Sequence, residues 1–391
     1  MSPAGVPNQG TSGDQPLRLC HVIDSLGRGG TQRCLIHLVE GLSLRGYQQH
    51  IVCLNDDVDA EILASLRRNA RIVVIGRWSL LLGWGMVRLF QLLRRERIQV
   101  VQTYLWHADV IGRSVAWAAR VPTIFSSVRA RNVDKRAWQF WLDRLTVRWA
   151  QRVIYNSRQV VAFSREHEGV TPDQVLVIPN GVEQSPVSGP SREILLQQVK
   201  LPVDARFILS VGRLYPQKGH DVLIQAFAQL AGHHPHLFLL IAGEGPERPK
   251  LEQLISGHGL TSRVLLLGSR QDVTAWLAAA DTFILASRFE GMPNALMEAM
   301  AAGLPVITSR TDGSTELIRN EETGLLVPPE DPAALAAAIR RLLSEPDFAR
   351  CLGKAGQDLM ATKFSLQSMV DSYDAAYRAS SFAAPNPQRG S

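Results

Sequence analysis

The sequence predicts an α/β protein made of two doubly wound, Rossmann-like domains, each a parallel sheet with helices on both faces. Three observations carry this expectation. A length of 391 residues favours two domains over one. Short, near-continuous apolar runs alternate with helix-length amphipathic stretches, which is how parallel strands buried on both faces read. The alternation lapses once, in an aperiodic segment of Gln, Ser, Pro, Val and Gly ending at residue 191, and then restarts.

In the first half, residues 17–23, 51–54 and 71–75 read as strands, with helices over 31–45 and 59–69 between them. One long amphipathic stretch, 80–95, leads to a strand at 98–102. Helix 106–120, strand 123–127, helix 136–150, strand 153–155, helix 157–167 and strand 175–178 continue the series. In the second half the strands are 207–211, 238–242, 264–267, 282–286 and 305–308. The helices there are 221–231, 247–257, 273–279, 293–302 and 332–343, and 366–377 closes the series. Residues 1–16 and 381–391 read as disordered tails.

Hydrophobic content of 46% and charged content of 20% suit a globular protein and speak against a disordered chain. Cys20, Cys34, Cys53 and Cys351 show no paired spacing, and three of them sit in apolar runs. Buried reduced thiols are the expectation for those three, which fits a reducing cytoplasm. The first fifteen residues lack the apolar centre of a signal peptide, and no apolar run reaches the ~18 residues of a membrane span. The net charge of +6 comes without a nucleic-acid motif, so nucleic acid is not an expected partner. The basic residues cluster with aromatic ones instead. Residues 77–97 hold Arg77, Trp78, Trp84, Arg88, Phe90, Arg94, Arg95 and Arg97, and 129–152 have the same character. Such stretches fit an anionic membrane surface, or else a solvated basic face opposite a core-facing aromatic stripe.

The chemistry concentrates in the second half. Residues 290–298 read Glu290-Gly291-Met292-Pro293-Asn294-Ala295-Leu296-Met297-Glu298. Pro293 suits the first helical position, which leaves Glu290 on the loop and Glu298 about a turn and a half inside the helix. The helix mouth between them favours phosphate, and the two carboxylates can hold hydroxyls on either side of it. A nucleotide sugar has that layout. Ahead of this segment an apolar strand ends at Gly212, with Arg213 and Lys218 on the loop that follows. A bidentate guanidinium and a compact ammonium can counter a diphosphate. Ligands of doubly wound sheets lie outside the carboxyl ends of the strands, where the loops at 212–213, 243–246, 268–270 and 287–290 fall.

With Pro179-Asn180-Gly181-Val182, the run 241–246 and Gly29-Gly30 after the first strand, this order of motifs resembles the retaining glycosyltransferases of family 4. The resemblance spans roughly residues 17–380, and segments 105–109 and 128–129 look most like a bacterial branch that builds O-antigen and capsule-type polysaccharides. It implies the GT-B fold, two Rossmann-like domains facing a central cleft. Residues 17–184 would bind acceptor, 185–191 would link, 192–365 would bind nucleotide sugar, and 366–380 would return to the first domain.

The resemblance also assigns roles. Arg213 and Lys218 would hold the donor diphosphate, Glu290 the donor sugar and Glu298 the ribose hydroxyls. Beside these, Gly212 and the backbone of Gly291, Met292, Asn294 and Ala295 can line the donor, and Ser269 and Arg270, from their place after the third strand, are candidates for the base edge. Gly29 and Gly30 would approach the diphosphate from the other domain. By their places after the strands, Asp24, His107 and Arg129 are candidates to face the acceptor, and His107 reads equally well as a core-capping histidine. Arg213, Lys218, Glu290 and His107 form the expected catalytic set. Many family members keep a histidine after the fifth strand, where this chain has Ser126-Ser127-Val128-Arg129.

The implied reaction is that of a retaining hexosyltransferase, moving a sugar from a nucleoside-diphosphate donor to a saccharide or lipid-linked acceptor in cell-surface polysaccharide or glycolipid synthesis. It would occur in the cytoplasm, at the inner face of the plasma membrane. No cofactor or metal is expected. Asp57-Val58-Asp59 imitates a metal motif, yet in a polar loop it reads as a turn with a helix cap. The alternatives are a GT-B phosphorylase or epimerase and a non-catalytic nucleotide-sugar-binding scaffold. Gly27-Arg28-Gly29-Gly30 does not give the Gly-x-Gly-x-x-Gly fingerprint of a nicotinamide oxidoreductase.

Overall fold

The structure, a computed structural model, describes residues 16–27, 29–129, 135–184 and 189–381. The expected tails, apart from residues 16 and 381, and the first part of the linker lie outside the described residues. The chain forms two compact units, one of residues 1–127, 145–152 and 376–391, the other of 128–144 and 153–375.

The alternation appears in chain order. It opens with β1 (Arg18–Ile23), α1 (Gly30–Ser43), β2 (Gln48–Cys53), α2 (Ala60–Arg67) and β3 (Arg71–Val74). Two helices follow, α3 (Arg77–Leu81) and α4 (Trp84–Arg95), where one was expected. Gly83 stands between them at φ +79°, a left-handed position that a continuous right-handed helix does not contain. Next come β4 (Val100–Tyr104), α5 (Trp106–Ala118), β5 (Thr123–Val128), α6 (Ala137–Val147), β6 (Arg152–Tyr155), α7 (Arg158–His167) and β7 (Val175–Val177).

The second series is α8 (Arg192–Gln198), β8 (Arg206–Val211), α9 (His220–Ala231), β9 (Leu237–Ala242), α10 (Arg248–Gly257), β10 (Val264–Gly268), α11 (Val273–Ala279) and β11 (Thr282–Leu285). It ends with α12 (Asn294–Ala301), β12 (Val306–Ser309), α13 (Asp312–Leu317), β13 (Leu325–Val327), α14 (Pro332–Ser344), α15 (Pro346–Lys363) and α16 (Leu366–Ser381). Four of these, α8, α13, β13 and α15, were not expected. The first three are too short to show a period, and α15 carries charges throughout its length.

One sheet has the order β3-β2-β1-β4-β5-β6-β7 and the other β10-β9-β8-β11-β12-β13. Neighbours pair in parallel, as β1 does with β2 and β4, and β8 with β9 and β11. Alternate residues of the second sheet feed two separate cores. Phe207, Leu209, Phe238, Leu240, Phe283 and Leu285 pack with α8, α11 and α12 on one face. Ile208, Leu239, Ile241 and Ile284 pack with α9, α10 and α14 on the other. Burial on both faces is why these strands read as continuous apolar runs. Cys20, Cys34 and Cys53 are buried free thiols, and Cys351 is exposed. In α16, the Tyr377 hydroxyl donates to Gln102 Oε1 on β4 at 3.2 Å, and its ring meets Phe125 edge-on.

Candidate functional site

The strand order of the second sheet reverses between β8 and β11, so the loops that follow these two strands flank a crevice at their carboxyl ends. Those loops are bolted together. The Arg288 N–H donates to the Gln217 carbonyl at 2.8 Å, and Gln217 Nε2 donates to the Phe289 carbonyl at 2.9 Å. The Arg288 guanidinium forks onto Asp221 at 2.9 and 3.1 Å and reaches Glu330 at 2.5 Å. Gly219 sits at φ +61°, and a Cβ there would lie 2.0 Å from the Ala286 carbonyl oxygen. No other residue type fits that approach.

Within this frame Lys218 donates to Glu290 Oε1, and the Ser287 hydroxyl donates to the same oxygen at 2.8 Å. Lys218 and Glu290 are both largely shielded from solvent. Arg213 is exposed, its guanidinium 5.0 Å over the Tyr215 ring, an arrangement that orients the fork without consuming its donors. A third loop supports the first. Gly243, at φ +156°, lies so close to Gly212 that a Cβ would stand 1.9 Å from its carbonyl oxygen. His220 is buried under the Gly212–Arg213 backbone. Burial pushes its imidazole pKa down to about 4, and the Lys218 charge adds to the effect.

Pro293 is the cap of α12 rather than its first residue, because its ψ of 103° is extended. Asn294 and Ala295 therefore supply the first N–H groups of the helix. Asn294 and Glu298 stand four residues apart on one face, while Leu296, Met297 and Met300 are buried in the core. Asn294 Oδ1 accepts from Asn180 Nδ2 at 2.8 Å, and Asn180 Oδ1 accepts from Arg129 Nη1 at 2.7 Å. Arg129 Nη2 also donates to the Tyr373 hydroxyl at 3.2 Å. Sequence reasoning used Asn180 only as loop punctuation and passed over Ser287. The motif around Asn180 was the available signal, because a buried polar side chain in a turn must find partners.

Other nominated residues are placed differently. Ser269 is exposed after β10. Arg270 is clamped bidentately by Asp272 at 2.6 and 2.8 Å and lies 5.5 Å over Trp276. The guanidinium is thus already heavily engaged. Gly291 presents its carbonyl to Gly313, where a Cβ would approach within 1.9 Å, so this loop rests on the start of α13.

The first sheet reverses between β1 and β4, and there Asp24 meets His107. Asp24 Oδ2 accepts from the His107 backbone N–H at 3.3 Å and faces its Nδ1 at 2.9 Å, while Oδ1 accepts from the Ala108 N–H. This carboxylate caps α5 after Leu105, which is held at φ +72°, a strained position for a branched side chain. Donating to the Asp24 carboxylate raises the His107 pKa, with burial opposing it. Gly29 caps α1 in extended conformation and Gly30 opens the helix, whereas Arg28 lies outside the described residues. Asp59 caps α2, accepting from the Glu61 and Ile62 N–H groups at 3.0 and 3.3 Å. Among the described residues, no group of three His, Cys, Asp or Glu side chains is placed to hold a metal ion.

Two parallel, doubly wound sheets, each with polar groups at its reversal point, define the GT-B class. Anabaena Alr3699/HepE in complex with UDP shares the fold at a TM-score of 0.82, with 22% identity over 93% of this chain and 100% of that one. Sucrose-phosphate synthase from Thermosynechococcus elongatus does so at 0.77, with 24% identity over 93% and 98%. Residues 28–185 match the model described as Glycosyltransferase Family 4, and 191–359 match that described as Glycosyl transferases group 1. The chain belongs to this glycosyltransferase family. It is 26% identical over 351 residues to the lipopolysaccharide core biosynthesis glycosyltransferase LpsE of Rhizobium meliloti (strain 1021), covering 88% of this chain and 94% of that protein. It is also 26% identical over 379 residues to the Escherichia coli UDP-Gal:alpha-D-GlcNAc-diphosphoundecaprenol alpha-1,3-galactosyltransferase, covering 91% and 95%.

Proposed function

We propose that the protein transfers a sugar, with retained configuration, from a nucleoside-diphosphate donor to a hydroxyl of a saccharide or lipid-linked acceptor. It would serve cell-surface polysaccharide or glycolipid synthesis as a peripheral enzyme at the inner face of the plasma membrane. The observation that carries the reading is the shielded Lys218–Glu290–Ser287 cluster beside the exposed Arg213. An ammonium has three donors, so Lys218 can keep Glu290 and still reach a phosphate oxygen. Arg213 supplies a fork for the same diphosphate, and the Asn294 and Ala295 N–H groups supply neutral donors at the helix mouth. Glu298, one turn further along the same face, is the proposed partner of the ribose hydroxyls. Uridine is the base to test first, given that the Escherichia coli relative is named for UDP-Gal and a fold neighbour was solved with UDP.

In this reading the rate comes from stabilising the departing diphosphate and from holding the acceptor hydroxyl against the face of the sugar it leaves. Arg213 and Lys218 do the work that a divalent metal does in other glycosyltransferases, so turnover should survive EDTA. Asp24 and His107 are proposed to orient the acceptor. The deciding experiment is calorimetry against UDP, GDP and their sugars, followed by transfer to a soluble acceptor. Micromolar binding of one nucleotide, weakened by Glu298→Ala, supports the assignment. Absence of nucleotide binding, or binding indifferent to Glu298, would remove it.

A further inference from the structure

The α3–α4 hairpin carries its apolar residues on the wrong side for an ordinary surface element. Its inner face is complete, since Leu89 and Leu93 are buried and Gly85 packs against Ile75 and Leu80. A helix so anchored should turn polar residues outward. Here Trp78 is 77% exposed, Leu82 72% and Trp84 68%, with Leu81, Val87 and Phe90 also exposed. Of the fifteen large apolar side chains exposed among the described residues, seven fall between positions 78 and 90. That is a contiguous patch, not the scatter of a normal surface. Around it Arg77, Arg88, Arg94, Arg95 and Arg97 are exposed, and Glu96 is the sole acidic residue of the hairpin.

The second basic–aromatic stretch spends part of its charge on its own neighbours. Lys135 is buried between Asp143 and Glu168 at 2.9 and 2.6 Å, and Arg144 donates to the His167 and Glu166 carbonyls. Phe140 packs on Phe163. Trp138 and Trp141 of that stretch are exposed as well, but the hairpin, with seven exposed large apolar side chains, is the larger apolar surface.

We propose that the α3–α4 hairpin docks on an anionic phospholipid bilayer, burying Trp78, Leu81, Leu82 and Trp84 in the interface while its arginines meet the lipid headgroups. A second copy of the chain is the weaker occupant, because a two-fold contact would set five arginines against the same five. An anionic leaflet complements both the charge and the apolar tip. The inference rests on the peripheral association proposed above and names the surface responsible. The charge of Arg77, at the start of the hairpin, opposes the protonation of His107.

The test is co-sedimentation of the full chain with phosphatidylcholine vesicles, with and without phosphatidylglycerol. The proteins are wild type, a Leu81→Ser/Leu82→Ser/Trp84→Ser variant and a Trp138→Ala/Trp141→Ala control. The expected result is binding by wild type and control to the anionic vesicles only, with the hairpin variant's bound fraction down about tenfold or more. Its melting temperature should match wild type. A hairpin variant that sediments like wild type would overturn the proposed surface and leave peripheral association standing. Wild type that ignores anionic vesicles would overturn both. Wild type that dimerises through the hairpin without binding vesicles would give the face to a second copy. UDP calorimetry on the same samples reads the transferase proposal separately, since the hairpin lies outside the donor residues.

Discussion

Glu290 shows how one side chain can prepare another. Its carboxylate, fixed by the Ser287 hydroxyl, holds the Lys218 ammonium where the β8 and β11 loops meet. Lys218→Ala should therefore lower kcat by about 10²–10³, or about 3 kcal/mol in the barrier, with a smaller effect on donor affinity. Single-turnover kinetics with the natural donor would check it, and wild-type turnover would remove Lys218 from the mechanism. Asn180 tests the neighbouring network. Its side chain is buried between Arg129 and Asn294, so Asn180→Ala should cost about 1–3 kcal/mol of stability in urea denaturation. His107 offers a pH test. Its folded pKa is raised by Asp24, so the pair stabilises the fold below the unfolded value and fades as pH rises through the folded one. The stability deficit of His107→Gln should thus be greater at acid than at alkaline pH, and below about 1 kcal/mol because solvent screens the exposed ring.

At the scale of elements, the glycines decide where loops can meet. Gly219 combines a left-handed backbone with a near-contact to the Ala286 carbonyl. Gly219→Ala should cost more than about 1 kcal/mol and separate the two loops, seen as a lower melting temperature together with weakened UDP binding. A glycine also splits α3 from α4. The apolar period of residues 80–95 runs through Gly83, so hydrophobicity alone does not show the break. The positive φ at that glycine sets it. Most strands were legible to within a residue or two because burial on both faces makes them uninterrupted apolar words. Helices α8 and α13 and strand β13 were not, since each is short and owes its form to packing against the sheet.

For the whole molecule, two buried imidazoles predict how the fold answers to acid. Burial holds both His21 and His220 near a pKa of about 4, well under the 6.5 of an unfolded chain. Between those values the unfolded state binds more protons, so stability present at neutral pH is lost as pH falls from about 6.5 towards 4. Melting temperatures across that range should drop steeply, and His220→Asn should flatten the slope. An unchanged slope in the variant would mean that other groups govern acid unfolding.

By itself the sequence determined the architecture class, the two sheets, the family and the order along the chain of the residues proposed for the donor. Periodicity and spacing are local properties, and they survive translation into a string. Tertiary structure alone decided which polar groups are spent on one another, as Arg270 is on Asp272, and which remain presented, as Arg213 does. It alone placed Asn180 between Arg129 and Asn294, and turned the apolar face of 78–90 outward instead of into the core. The physical reason is that pairing and exposure depend on distances between residues far apart in the chain, which only the closed sheets and their reversal points fix.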